Sequence, residues 1–118
     1  MDKGVNQVVD EAVLTGLARM KTDPDFVPEL TRGAIGLCEK FVERIGEAVG
    51  LQDVDAVKTT AHALYGCAGS VGFVGITRVC DQFRGLESTQ LPERGADFES
   101  RLRHALSAIK HYLEARKP

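Results

Sequence analysis

The stretch VDAVKTTAHALYGCAGSV, residues 54–71, carries apolar or small side chains at Val54, Val57, Ala61, Leu64, Ala68 and Val71. The steps alternate three and four without a break, which places all six on one stripe of an α-helix and gives a regular seam for packing against neighbours. Asp53, just before it, has the side chain to cap the first turn, and Gly50 is suited to the left-handed backbone that closes a preceding helix. A helix ending near Gly50 and another starting near Val54 are joined by a short connection, so they run antiparallel.

Working towards the N-terminus, Leu30, Ala34, Leu37, Phe41, Ile45 and Val49 form a second long stripe. Asp25 is its candidate cap, and Pro28 falls in the first turn, where a missing N–H costs nothing. Before that, Val9, Val13, Leu17 and Met20 give a shorter helix, bounded by the polar Lys21-Thr22-Asp23-Pro24-Asp25 segment. Towards the C-terminus, Gly72-Phe73-Val74-Gly75 interrupts the helical pattern, and Ile76, Val79, Cys80, Phe83 and Leu86 resume it. Pro92 and Gly95 mark residues 88–96 as a loop, after which Asp97 is placed to cap a last helix with Phe98, Leu102, Ala105, Ile109 and Leu113 on one face. No alternating strand pattern competes. The expected fold is all-α: one domain over residues 1–118, an antiparallel four-helix bundle over about 26–115, and an accessory N-terminal helix over about 5–21.

Composition narrows the function. The 118 residues suffice for one compact core, and the formal net charge of -2 gives no bulk attraction to nucleic acid or anionic lipid. With 43% hydrophobic and 27% charged residues the chain reads as globular. Met1 is not followed by a basic segment and an apolar run, and no stretch reaches membrane-spanning length, so a cytoplasmic protein without membrane contact is expected. Cys38, Cys67 and Cys80 are widely spaced and contain no CxxC pair, which favours reduced, mostly buried thiols over a zinc or redox site.

Projected on the helix of residues 54–71, His62 lies roughly 130° from the apolar seam and faces solvent, with Lys58, Gly66 and Gly69 within about 40° of it. Each interior helical glycine costs roughly 1 kcal/mol relative to alanine, so two on one exposed face suit a surface that something approaches closely. A neutral imidazole is nucleophilic without a separate base and can hold a phosphoryl group, which Lys58 is placed to stabilise. The same residues admit a plainer reading, in which His62 is a solvated side chain and the glycines admit a neighbouring helix.

The run Ala61-His62-Ala63-Leu64-Tyr65-Gly66-Cys67-Ala68-Gly69-Ser70-Val71-Gly72-Phe73 resembles the signature of histidine phosphotransfer (HPt) domains. The likeness continues through Gly75-Ile76-Thr77-Arg78-Val79-Cys80 to the Leu86-Glu87 pair and covers roughly residues 26–113. The resemblance implies that His62 exchanges a phosphoryl group with the aspartate of response-regulator receiver domains, some of them parts of hybrid histidine kinases. It implies a phosphocarrier with no kinase activity of its own, no bound metal, and Mg2+ held by the partner receiver. Gly66 matches the position that leaves room for the phosphorylated ring. Where the family usually has Lys or Arg three residues after the histidine, this chain has Tyr65, so Lys58 or the Tyr65 hydroxyl is the expected partner of the phosphate. Thr59 and Gly69, with Arg78 and Gln82 from the next helix, are the expected receiver contacts, and a monomer is expected.

Other readings stay open at this level. One is an adaptor of the same fold that binds receivers without transfer, and another is a structural bundle that dimerises through its glycine face. His104 and His111 share a face of the last helix but lack further ligands for a metal. No Ser-His-Asp pattern or phosphate-cradling glycine loop points to an enzyme.

Overall fold

A computed structural model describes residues 7–116. It contains α1 Glu11–Ala18, α2 Phe26–Gly50, α3 Val54–Ser70, α4 Val74–Gln82 and α5 Leu91–Ala115, with a 3-10 turn at Ser88–Gln90 and no strand among the described residues. α2 packs along α3 and α5, α4 packs along the same two helices, and α1 lies against α2. The expected architecture is therefore the observed one: a bundle of α2 to α5 with a short helix added at the N-terminal side. No helix among the described residues is long and apolar enough to cross a membrane.

The core is the meeting of the stripes. Ile45 of α2, Leu64 of α3, Ile76 of α4 and Leu102 and Ile109 of α5 are fully enclosed, joined by Phe73 from the turn between α3 and α4. Burying each such side chain contributes about 1.5–3 kcal/mol before entropy is counted. α3 starts where the sequence places it, because the Asp53 carboxylate accepts the Ala56 N–H at 3.0 Å.

Several expectations need correction. The left-handed residue between α2 and α3 is Gln52 (φ 58°), not Gly50, which still belongs to α2. The Gln52 side-chain amide donates to the Val49 carbonyl at 3.3 Å and helps hold that conformation. On α2 Leu37 is 45% exposed, while Cys38 and Val42 are buried. α2 carries apolar residues on more than one face, and only its contact with α3 and α5 decides which face is enclosed.

α5 begins at Leu91, so residues 91–96 are helix and not loop. Pro92 sits in its first turn, where a proline has no N–H bond to lose. Asp97 is inside the helix and pairs with Arg101 at 3.0 Å instead of capping. Asp25 stands at the start of α2, but its side chain makes no capping bond; its N–H donates to the Asp23 carboxylate at 2.9 Å. α4 ends at Gln82, leaving Phe83 and Leu86 buried in the turn beyond it.

α1 is shorter than the expected 5–21. Residues 5 and 6 fall outside the described residues, and residues 7–10 cross the turn between α3 and α4, where Asp10 N–H donates to the Gly72 carbonyl at 2.7 Å and Gly75 N–H to the Val8 carbonyl at 3.1 Å. Asp10 then caps α1 by accepting the Ala12 N–H at 3.0 Å. Past the helix, Met20 is 71% exposed.

Candidate functional site

α3 turns Leu64 and Ala68 into the core and His62 outward into solvent. His62 opens onto a cavity of about 160 Å³. Val57, Lys58, Ala61 and Tyr65 line it from α3, Cys80 from α4, Phe83, Arg84 and Leu86 from the turn that follows, and Phe98 from α5. Its floor is apolar: the Phe83 and Phe98 rings stack with centroids 4.8 Å apart. The Cys80 thiol beneath it is pushed up to about 11, first by burial, so it stays neutral and is no competing nucleophile. Ligand pockets for drug-sized molecules begin at about 300 Å³, so the cavity suits a phosphoryl-sized group and not a nucleotide.

Around this floor the polar groups gather at the rim. Lys58, one turn before His62, is exposed and lines the cavity with Tyr65, one turn after it. Helical spacing alone brings these three together. Gly66 lies on the same exposed face, and a Cβ there would have no heavy atom within 4 Å beyond its chain neighbours and the backbone of its own helix. At Gly69 the same test meets only the Thr77 methyl group at 3.9 Å, an ordinary contact. Neither glycine is required by packing among the described residues. Thr59 is exposed on α3.

Arg78 and Gln82 are placed elsewhere. They line a separate groove between α4 and α5 with Val8, Arg101 and His104. The Arg78 guanidinium donates to the Gln7 carbonyl at 3.2 Å, and the Gln82 side-chain carbonyl accepts from Arg101 at 3.3 Å. His104 and His111 both stand exposed on α5, with His111 Nδ1 3.9 Å from a Glu114 oxygen.

The residue that sequence reasoning missed is Arg84. Its guanidinium lies over the Tyr65 ring at 5.1 Å from the centroid, and its Nη2 pairs with Asp81 at 2.5 Å. The Asp81 bond, with smaller help from Tyr65, raises a pKa that is already high, so Arg84 is a fixed cation. Its one sequence signal is the Asp three residues earlier, and that says nothing about a neighbour on another helix.

The assembled site is an exposed imidazole between two cations and a phenol, over an apolar floor. It can attack an electrophilic phosphorus and hold the resulting anion. The family model described as Hpt domain matches residues 34–112, which takes in α3, α4 and most of α2 and α5 and leaves out α1. No curated protein matches the chain, and no solved structure matches it.

Proposed function

This chain belongs to the Hpt domain family, a family of phosphotransfer modules in two-component signalling, and from that premise we propose that His62 is its phosphoryl carrier. The partner is the receiver domain of a response regulator, whether free or part of a hybrid histidine kinase. In the step towards this chain, a lone pair of the His62 ring forms a P–N bond to the phosphorus of the receiver's aspartyl phosphate. The P–O bond breaks and its pair leaves with the carboxylate, while the proton on the other ring nitrogen passes to solvent. The reverse step returns the group to a receiver aspartate. Mg2+ belongs to the receiver, and the proposed location is the cytoplasm, where reduced thiols such as Cys38, Cys67 and Cys80 persist.

The observation that carries this reading is the bare surface beside His62. Gly66 gives up roughly 1 kcal/mol of helix propensity relative to alanine for a clearing that none of the described residues fills. A receiver delivering an aspartyl phosphate to the imidazole needs that close approach. Lys58 and the Tyr65 hydroxyl are proposed to contact the phosphate, and Thr59 and Gly69 the receiver surface.

The experiment is to incubate the chain with a panel of aspartate-phosphorylated receiver domains and follow the label on wild type and His62→Gln. Acid-labile, base-stable label on wild type alone is expected. Label of the same kind on His62→Gln would move the acceptor elsewhere, and binding of receivers with no transfer would make the chain an adaptor.

A further inference from the structure

A phosphoryl group on an exposed imidazole carries close to two negative charges, and a cation within reach both speeds its arrival and holds it. The α3 turn after His62 offers only the phenol of Tyr65. Lys58 is a flexible point charge on the turn before it, with four rotatable methylenes to immobilise. Arg84 differs from both. It borders the same cavity as His62, and two independent contacts hold it in place: the face of Tyr65 and the carboxylate of Asp81.

Those contacts leave donors over. A guanidinium has five N–H groups; Asp81 engages Nη2, and Tyr65 lies against the same group with its ring centroid 5.1 Å from the guanidinium carbon. More N–H groups than these two partners use remain on the cation for phosphate oxygens, which a planar guanidinium suits. The ion pair is 64% and 52% exposed at its two side chains, so it adds little to folding. Its effect is to orient Arg84 beside Tyr65.

We infer that Arg84 is the residue that binds the phosphoryl group while it resides on His62, with Tyr65 serving as the shelf that positions the guanidinium. The inference rests on the reading of His62 as the carrier. It gives the aromatic residue after the histidine a purpose: the charge arrives from the turn after α4 and not from α3 itself.

Phosphoramidate tests this without any partner protein, because it transfers its phosphoryl group to imidazole with loss of ammonia. Phosphorylation is followed by 31P NMR for wild type, Arg84→Ala, Arg84→Lys, Tyr65→Phe, Tyr65→Ala and His62→Gln. Arg84→Ala is expected to slow phosphorylation about tenfold. Arg84→Lys should recover part of that loss, and Tyr65→Phe, which keeps the ring under the guanidinium and removes only the hydroxyl, should be slowed less than Tyr65→Ala, which moves towards Arg84→Ala. The second ionisation of the phosphohistidine, read from its 31P shift, should fall at lower pH in wild type than in Arg84→Ala, with circular dichroism showing that the variant keeps its helices. Equal rates and equal titrations in wild type and Arg84→Ala would overturn the role of Arg84 and leave His62 as carrier. No phosphohistidine on the wild type would remove the carrier reading and this inference with it.

Discussion

Gly66 and Gly72 are two glycines with opposite reasons to exist. At Gly66 a Cβ would stand in open space on a regular helix, so Gly66→Ala should raise stability by up to about 1 kcal/mol in urea unfolding. The penalty should appear in function: a larger residue such as Gly66→Met should slow transfer from a phosphorylated receiver while leaving small-molecule phosphorylation of His62 closer to wild type. At Gly72 the backbone has φ 75° and a Cβ would come within 2.9 Å of the Asp10 carbonyl oxygen. Gly72→Ala should therefore destabilise by about 1–2 kcal/mol through its left-handed backbone alone. A stabilised Gly72→Ala would show that this turn does not take the left-handed backbone. The thiols divide in the same way. Burial raises the pKa values of Cys38 and Cys80, with the nearby Cys67 adding to the effect on Cys38, whereas Cys67 is only half-buried. Iodoacetamide near pH 8 should modify Cys67 first and the other two at rates limited by opening of the bundle.

At the scale of the helix, α3 depends on its cap as much as on its seam. Removing the carboxylate in Asp53→Ala leaves the Ala56 N–H without its 3.0 Å acceptor and should cost about 1 kcal/mol by thermal or urea unfolding, with phosphorylation of His62 unchanged in the folded fraction. The cap and the unbroken three-and-four spacing are local properties, which is why α3 and the outward direction of His62 and Lys58 are legible in the amino-acid pattern alone. The start of α5 is not, because Pro92 and Gly95 have two meanings. Proline marks a loop, yet it also fits the first helical turn, and Gly95 is buried where its missing side chain admits Val49. The face of α2 is ambiguous at Leu37 because its apolar residues cover more than one stripe, and the choice belongs to α3 and α5. Arg84 is hidden for a related reason: it lies two residues past the end of α4, and its meeting with Tyr65 depends on how that turn packs against α3.

For the whole molecule, the first and last described helices are tied by one cluster. Tyr112 and Arg116 from the C-terminal end of α5 both donate to the Glu11 carboxylate, Arg116 at 2.7 Å, and so hold α1 on the bundle. The Arg116 bond first, then the Tyr112 bond, lowers the Glu11 pKa below its ordinary value, and the same Glu11 bond raises that of Tyr112. A carboxyl whose folded pKa is depressed stabilises the folded state fully above its unfolded pKa, and loses that contribution as pH falls through the folded value. Acid should therefore loosen α1 below about pH 4.3, the ordinary range of glutamate. Amide hydrogen exchange should show protection in α1 falling across that window while α3 keeps its own. Glu11→Gln should show weaker α1 protection at pH 7 and no further drop attributable to this site on acidification. A full acid drop in Glu11→Gln would assign the loosening to other carboxylates. None of Glu11, Tyr112 or Arg116 lines the His62 cavity, so Glu11→Gln at neutral pH should take phosphate from phosphoramidate at the wild-type rate, separating attachment of α1 from the chemistry of α3.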